Sequence, residues 1–284
     1  MNLSPAASFM AMLKSSRPLF PAENRRFLKE FLRICDKYHL RYYALGGTLL
    51  GAVRHKGFIP WDDDVDIGMP RPDFCRFEQV IEKELPDYFH YLSYKNTADY
   101  HHYVPRMTDS RVKVIDESAS VDSEKDAWID IFPMDGMPGN KYRRKIHCFR
   151  LLVARARVNY SLFSTNVDLK RQNRPLLERV MITAGKILPV EKIFRTSREL
   201  KRLDRLMQKY DYDDSPYLVN FMGIHKLKEM FHKKHYGKGA DYIFEDIKLR
   251  GPHDYDFVLR QMYGEYWNPP EKSEMNHHNT RIRE

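Results

Sequence analysis

The 284-residue sequence contains only three cysteines, Cys35, Cys75 and Cys148, and no Cys-x-x-Cys pair. Three widely spaced thiols do not form a disulfide framework, and they lack the ligand spacing of a structural zinc site. A chain of this length buries about three-quarters of its unfolded surface, so a core forms without such crosslinks. The composition is therefore typical of a protein that folds in a reducing, cytoplasmic setting.

Long apolar runs are also absent. No stretch of about 18 apolar residues occurs, so the sequence predicts no membrane-spanning helix. Residues 1–17 include a short apolar patch, but they lack the basic start and long apolar stretch of a secretory signal peptide. We therefore expect a cytoplasmic protein whose contact with the inner face of the plasma membrane is at most peripheral.

Acidic residues are fewer than basic ones. The chain has 48 Lys and Arg against 39 Asp and Glu, for a formal net charge of +9. The excess lies mainly between residues 141 and 209, and it favours anionic partners such as phosphate, nucleic acid or an anionic membrane surface. Within 141–157, cations and apolar residues alternate at helical spacing. This pattern fits a helix lying on a membrane, or a helix packed on one face and solvated on the other.

Against this basic background stands a dense acidic run, with four aspartates within residues 62–66. Asp64 and Asp66 are two positions apart, so on a strand they share one face, while Val65 and Ile67 point to the other face. Carboxylates this close raise one another's pKa unless a cation lies among them. The run therefore predicts either a site for a hard cation such as Mg²⁺ or an Asp-rich surface turn.

Periodicity predicts an α/β fold, with a mixed sheet flanked by helices and a helical C-terminal part. The predicted helices are 23–38, 48–54, 70–85 and 257–263, and the predicted strands are 40–45, 65–68, 112–115 and 128–132. We further predict a chain break at 134–139, mainly helical structure from 140 to about 208, a loop at 211–216 and an irregular or hairpin-like segment at 242–256. We divide the chain into a core, residues 1–138, and a mainly helical part, residues 139–284, that packs on the core and completes its acceptor side, with one integrated domain as the alternative.

The acidic residues follow an order that has chemical meaning. The second predicted strand carries Asp64 and Asp66, and a later strand carries Asp130 between apolar neighbours. This order is expected of a nucleotidyltransferase fold, in which three carboxylates on adjacent strands converge on one or two Mg²⁺ ions. Asp64, Asp66 and Asp130 are thus the predicted catalytic residues and metal ligands, and one of them is the candidate base for an acceptor hydroxyl.

A second group of residues has the chemistry of a phosphate pocket. Two glycines that follow the first predicted strand let backbone N–H groups approach phosphate, and a threonine adds a hydroxyl donor. Cations of the next loop and of a later strand are candidate phosphate clamps. For the loop cations, the alternative is that they only balance the charge of the acidic run. For the strand cation, the alternative is an ordinary surface position. The predicted substrate-binding residues are Gly46, Gly47, Thr48, Arg54, His55, Lys56 and Arg106.

Residues 45–67, which include the two glycines and the acidic run, resemble the signature of the LicD family. These are phosphorylcholine transferases of bacterial surface polysaccharides, distantly related to fukutin and fukutin-related protein. The resemblance continues in residues 128–135 and in residues 263–267 followed by Pro269-Pro270. It implies a transferase of the nucleotidyltransferase fold, with Mg²⁺ as its cofactor and Mn²⁺ as the alternative.

The resemblance also implies the reaction. Such enzymes take a phospho-alcohol from a cytidine diphosphate donor, typically CDP-choline, and place it on a sugar hydroxyl of a lipid-linked glycan or teichoic acid precursor, releasing CMP. Two other functions stay open: transfer of the nucleotide itself with release of pyrophosphate, and nucleic-acid binding by a basic protein. No recognisable nucleic-acid module is present, so we expect no nucleic-acid partner.

Choline recognition calls for aromatic residues, because a quaternary ammonium donates no hydrogen bonds and is held by ring faces. The chain has 18 tyrosines and three tryptophans. Candidates near the motifs are Trp61, Tyr94, Tyr103, Trp128 and Tyr266, each of which also fits an ordinary core position. The sequence does not distinguish a choline cage from a pocket for another alcohol.

Overall fold

The computed structural model describes residues 21–62, 64–116, 123–162, 194–268 and 280–282. Predictions for the start of the chain, for Asp63, for residues 163–193 and for the tail from 269 to 279 lie outside this part. The chain forms two compact units, one within Met1–Leu92, Val104–Met134 and Leu218–Glu284, the other within Ser93–Tyr103 and Asp135–Tyr217. The division into a core and an acceptor-side part at residue 138 stays a prediction.

The described residues form helices together with a mixed sheet, which confirms the predicted α/β class. The helices are α1 (Pro21–Tyr38), α2 (Gly46–Arg54), α3 (Arg71–Glu84), α4 (Lys141–Ser161), α5 (Thr196–Met207) and α6 (Tyr255–Tyr263). The strands are β1 (Tyr43–Ala44), β2 (Asp66–Pro70), β3 (Phe89–Leu92), β4 (Arg106–Asp116), β5 (Ser123–Met137), β6 (Tyr217–Val219), β7 (Met230–His232), β8 (Ala240–Phe244), β9 (Ile247–Gly251) and β10 (Thr280–Ile282). None of the described helices has the length and apolar character needed to cross a membrane.

The main sheet is mixed, and its central strands carry the predicted acids. Its order is β1-β2-β5-β4-β10, with β3 paired to β4. Strand β2 runs parallel to β5, whereas the β1–β2 and β4–β5 pairs are antiparallel. Asp66 lies opposite Asp130 in the parallel pair, and Arg106 lies opposite Asp130 in the antiparallel pair. The register therefore brings three of the predicted site residues side by side.

Strand β5 is longer than predicted. We predicted a strand at 128–132 and a break at 134–139, because glycine and proline usually interrupt strands. The strand instead runs Ser123–Met137. A Cβ atom at Gly136 would lie 2.3 Å from the carbonyl oxygen of Asp211, so the glycine marks a close approach of two backbones rather than a break.

Buried side chains anchor the acidic segment on the core of the first unit. Val65 and Ile67 are fully buried, while Asp66 between them is partly exposed. In the helical layer, the ring of Phe31 lies 5.3 Å from that of Phe77, and both side chains are fully buried. Because the apolar side chains on either side of Asp66 are locked in the core, the Asp66 side chain is held at the opposite face.

Candidate active site

Asp66 and Asp130 form the centre of the candidate site. They face each other at the start of the parallel β2–β5 pairing. The Asp130 N–H donates to the Val65 carbonyl at 2.9 Å, which fixes the two strands at this point. The structure thus brings together two of the three acids that the sequence predicted as metal ligands.

Asp64 lies just outside the strand, since β2 begins at Asp66 rather than at residue 65. Burial, followed by the carboxylates of Asp64, Asp130, Asp62 and Glu229, raises the pKa of Asp66 well above its ordinary value. Each of these carboxylates is therefore near enough to destabilise the charge on Asp66. The site is an acidic cluster centred on Asp66.

Asp130 is held by a cation of the neighbouring strand. The Arg106 Nε atom donates to Asp130 Oδ1 at 2.8 Å, and Trp128 Nε1 donates to Oδ2 at 3.3 Å. The guanidinium of Arg106 also lies over the Trp128 ring, 4.4 Å from its centroid. The structure places Arg106 on a carboxylate of the cluster, and its predicted role as a phosphate clamp stays a prediction.

Helix α2 begins directly against the acids because its first two residues have no side chain. A Cβ atom at Gly46 would lie 3.0 Å from Asp66 Oδ2, and one at Gly47 would lie 2.2 Å from Asp62 Oδ2. Gly46 has a φ of +50°, a conformation that L side chains rarely adopt. The positive end of the helix dipole therefore lies beside the carboxylates, where it favours negative charge.

Backbone contacts around Asp66 hold it in place. The Asp66 N–H donates to the hydroxyl of buried Thr48 at 2.9 Å, and the Leu45 N–H donates to the Asp66 carbonyl at 3.0 Å. Thr48, which we predicted to contact phosphate, thus has a positioning role at the start of β2. Contact between its hydroxyl and a substrate stays a prediction.

The predicted clamp Arg54 is directed toward the backbone of a distant segment. Its Nη1 atom donates to the Tyr266 carbonyl at 2.6 Å, and its guanidinium lies 5.8 Å from the centroid of the Trp61 ring. Burial lowers the pKa of Arg54. The contact ties the C-terminal end of α2 to the segment after α6.

His55 and Lys56 complete this loop. Burial, followed by the charge of Arg54, lowers the pKa of His55 to about 4, so its imidazole is neutral at pH 7. The Lys56 ammonium donates to the Val53 carbonyl at 3.1 Å, and Lys56 itself has a φ of +61°. The structure places both residues in the turn between α2 and the acidic run, and their predicted contacts with phosphate stay predictions.

The five aromatic residues considered for a choline cage all contact other side chains of the chain. The contacts are Trp61 with Arg54 at 5.8 Å, Trp128 with Arg106 at 4.4 Å, Tyr94 with Tyr103 at 6.0 Å between centroids, the Tyr103 hydroxyl with Asp204 at 2.7 Å, and the Tyr266 hydroxyl with Asp256 at 2.7 Å. Two of these rings therefore already lie against a guanidinium.

Sequence reasoning missed two residues of the cluster, Glu229 and Tyr263. Glu229 is buried, and it accepts hydrogen bonds from the Asn220 side chain at 2.7 Å and from the His225 N–H at 3.0 Å. A Cβ atom at Gly46 would lie 3.6 Å from the Tyr263 hydroxyl, which places the phenol at the start of α2. No spacing pattern indicated Glu229, whereas Tyr263 begins the C-terminal motif that resembles the LicD signature.

Tyr263→Phe tests whether the phenol serves the site. Burial, followed by the carboxylates of Asp66, Asp62, Glu229 and Asp64, raises the pKa of Tyr263, so the phenol keeps its proton. A hydrogen bond donated to a charged oxygen contributes about 1.5–3 kcal/mol. We expect kcat/KM to fall about 10- to 100-fold with little change in Tm. Steady-state kinetics and thermal melts measure both, and a lower Tm with unchanged kcat/KM would make Tyr263 a structural residue.

The chemistry of the cluster suits a hard cation, although no cation site is fully formed. Within the described ranges, no group of three or more His, Cys, Asp or Glu side chains is arranged to hold a metal ion. The carboxylates around Asp66 nevertheless offer the oxygen ligands that Mg²⁺ prefers. Their mutual repulsion, seen in the raised pKa of Asp66, is the strain that a divalent cation would relieve.

A mixed sheet with paired acids on adjacent strands, beside a helix that begins with glycines, defines a nucleotidyltransferase-type domain. Residues 39–150 match the family model described as the LicD/FKTN/FKRP nucleotidyltransferase domain. This match confirms the predicted resemblance to the LicD family. The protein is an enzyme of the phosphotransferase class.

The similarity to one curated relative extends far beyond this domain. Over 255 residues, the chain is 29% identical to the lipopolysaccharide cholinephosphotransferase LicD of Haemophilus influenzae. This alignment covers 88% of this chain and 91% of that protein. Over 59 residues, the chain is 51% identical to the ribitol 5-phosphate transferase FKRP of human and of mouse, covering 19% of this chain and 12% of each relative. The relatives named for a reaction thus transfer different phospho-alcohols.

Proposed function

We propose that this protein transfers phosphocholine from CDP-choline to a sugar hydroxyl of a cell-surface glycan precursor and releases CMP. The observation that carries this proposal is the pairing of Asp66 with Asp130, beside the N-terminus of α2, inside a LicD-type domain. Acids on adjacent strands are suited to holding a divalent cation, and a helix N-terminus is suited to binding phosphate. Together they suit transfer of a phosphoryl group from a pyrophosphate.

The choice of phosphocholine rests on the extent of the similarity. The alignment with the cholinephosphotransferase spans 88% of the chain, whereas that with the ribitol 5-phosphate transferase spans 19%. The short alignment covers the shared catalytic motif. The long alignment also includes regions that can bind the alcohol. CDP-ribitol and CDP-glycerol are the alternative donors.

We further propose that Asp64, Asp66 and Asp130 hold Mg²⁺, with Mn²⁺ as the alternative. Bound to these carboxylates, the ion would supply positive charge for the donor pyrophosphate. The charges of Asp64 and Asp130 help to raise the pKa of Asp66, and this proximity supports the assignment together with the carboxylate chemistry. Arg106, which pairs with Asp130, supplies a second positive charge at the same carboxylate.

The chain's own residues account for the remaining chemistry. The acceptor hydroxyl forms a new oxygen–phosphorus bond to the choline-bearing phosphoryl group, and the bond from that phosphorus to the oxygen shared with CMP breaks. The hydroxyl proton passes to a carboxylate of the cluster, and CMP leaves with the bonding electron pair on its oxygen. The N–H groups at the start of α2 and the Tyr263 phenol, which lies near Gly46, would orient the phosphate oxygens.

We also propose that the acceptor is a lipid-anchored glycan and that the enzyme works at the cytoplasmic face of a membrane. The relative that aligns with 88% of the chain is named for action on lipopolysaccharide, a glycan carried by lipid. The basic segment between residues 141 and 209 provides charge of the right sign for an anionic surface.

Product analysis tests the proposed reaction. The purified protein is incubated with Mg²⁺, with CDP-choline, CDP-ribitol or CDP-glycerol, and with octyl glycosides of common hexoses as acceptors. We expect CMP and a phosphocholine-bearing glycoside from CDP-choline alone. Incorporation of CMP into the glycoside would support nucleotidyl transfer instead, and turnover of CDP-ribitol alone would assign the other alcohol. Salt-sensitive DNA binding without any turnover would favour the nucleic-acid-binding alternative.

A further inference from the structure

Helix α4 (Lys141–Ser161) has one apolar face that packs inside its own unit. The residues of this face recur at intervals of three and four, which places them on one side of a helix. They are His147, Leu151, Ala154, Val158 and Ser161, all of which are buried. Helix α5 lies against α4 and contributes buried Leu200, Leu203 and Met207. The packing of α4 in the second unit is therefore satisfied by this face.

The opposite face of α4 is also apolar, but it is exposed. Tyr142, Ile146, Phe149 and Val153 follow the same helical spacing and are 77%, 62%, 68% and 45% exposed. A helix that packs on one side normally presents polar residues on the other. This exposed stripe, residues 142, 146, 149 and 153, has no role in the fold of the described part of the chain.

Cations surround the stripe and continue onto α5. A cavity of about 620 Å³ opens between Phe149 and Val153 of α4 and the outer side of α5, and among the described residues none that lines it is acidic. One of its cations, Arg157, is neutralised by buried Glu199, at 2.7 Å. The other cations that line it are Arg150, Arg198, Arg202, Arg205 and Lys209. We call this surface, with the exposed stripe, the basic groove.

We propose that the basic groove docks on an anionic phospholipid surface. The exposed stripe enters the boundary of the acyl chains, while the arginines bind headgroup phosphates. An apolar stripe flanked by Lys and Arg is the composition of helices that lie in a membrane interface. The partner is the membrane that carries the acceptor glycan, so this inference rests on the proposed function.

Charge complementarity favours lipid over the other candidate occupants. Residues 163–193, which lie outside the described part of the chain, contain six Lys and Arg against three Asp and Glu. A second copy of the protein would present the same arginines. Residues 163–193 and a second copy therefore both carry charge of the same sign as the groove. An anionic bilayer instead supplies many phosphates beside an apolar layer.

Vesicle flotation tests the proposal. We compare vesicles of phosphatidylglycerol mixed with phosphatidylcholine against vesicles of phosphatidylcholine alone. Each cation near an anionic surface strengthens binding about fivefold, so the triple variant Arg150→Gln, Arg198→Gln, Arg202→Gln should bind mixed vesicles on the order of 100-fold more weakly. The matched control Lys83→Gln, Lys238→Gln, Lys248→Gln removes the same charge from exposed positions of the first unit and should change binding little.

A second variant tests the apolar part, since Ile146→Ser with Phe149→Ser removes exposed side chains without touching the packed face. We expect its binding to mixed vesicles to fall at least tenfold. Equal flotation of the arginine variant and the lysine control would overturn the proposal. So would unchanged flotation of the serine variant, or loss of self-association as its only effect in analytical ultracentrifugation.

Flotation and turnover are measured separately. The arginine variant should keep wild-type transfer from CDP-choline to the octyl glycoside, because that acceptor needs no bilayer. Intact flotation without turnover in the wild type would reject the proposed function and support the docking surface. Turnover without flotation would support the proposed function and reject the docking surface.

Discussion

Replacing Asp66 with asparagine is expected to lower kcat on the order of a thousandfold while raising the free energy of unfolding at pH 7. The loss of activity follows from removing the central carboxylate of the cluster, because charge stabilisation at a metal-assisted phosphoryl transfer contributes several kcal/mol. The gain in stability follows from removing a charge that four nearby carboxylates destabilise. Steady-state kinetics and urea denaturation measure the two effects on the same protein.

The pH dependence of stability adds a second readout. The pKa of Asp66 is raised above its ordinary 3.8, so the folded protein holds this proton more tightly than the unfolded chain does. Such a group stabilises the fold fully below pH 3.8, and this contribution is lost as the pH rises through the raised pKa. Asparagine does not titrate, so the stability gain of the variant over wild type should appear as the pH increases above 3.8.

Asp87→Asn is the matched control, because Asp87 is exposed and lies outside the cluster. It should change neither kcat nor the free energy of unfolding at pH 7. An active Asp66→Asn enzyme would remove Asp66 from the catalytic residues. A variant that is inactive but less stable than wild type at pH 7 would show that Asp66 serves the fold rather than the reaction.

Local patterning predicted the acidic centre because short-range rules govern it. Val65 and Ile67 are apolar residues on one face of a strand, and their burial leaves Asp66 at the other face. The pairing of Asp66 with Asp130 follows from placing two short apolar strands next to each other in a sheet. Asp64 departs from the prediction only in lying just before the strand rather than within it.

Long-range contacts were beyond local patterning. Glu229 accepts hydrogen bonds from Asn220 and His225, which hold it near Asp66 in a segment with no periodicity of its own. The ion pair of Arg106 with Asp130 depends on the register of β4 against β5, which a single sequence does not specify. Arg106 was therefore recognised as a site residue, but its partner in the structure was not.

That ion pair makes Arg106→Gln the second variant with a large expected effect. The side chains of Arg106 and Asp130 are only 22% and 14% exposed, and they lie 2.8 Å apart. Removing the guanidinium leaves a mostly buried carboxylate next to Asp66 without its compensating charge. Loss of one partner from a buried pair costs about 3–5 kcal/mol, and the residual exposure of this pair favours the lower end of that range. Urea denaturation should show a loss of about 3 kcal/mol.

A double-mutant cycle separates the pair from other contacts of Arg106. If the loss arises from the uncompensated carboxylate, then Arg106→Gln combined with Asp130→Asn should be more stable than Arg106→Gln alone. Additive losses would instead assign the effect to the packing of Arg106 over Trp128, whose ring centroid lies 4.4 Å from the guanidinium.

The same variant reports on the metal assignment, because a cation bound at Asp130 would replace the charge that Arg106 supplied. Saturating Mg²⁺ should therefore raise the Tm of Arg106→Gln by more than it raises that of wild type. Arg111→Gln is the control, since Arg111 pairs with Asp109 on the same strand at 2.7 Å. It should be destabilised without a comparable gain from Mg²⁺. If Mg²⁺ stabilises the two arginine variants equally, Asp130 is not a ligand, and its role in the site is confined to the ion pair with Arg106.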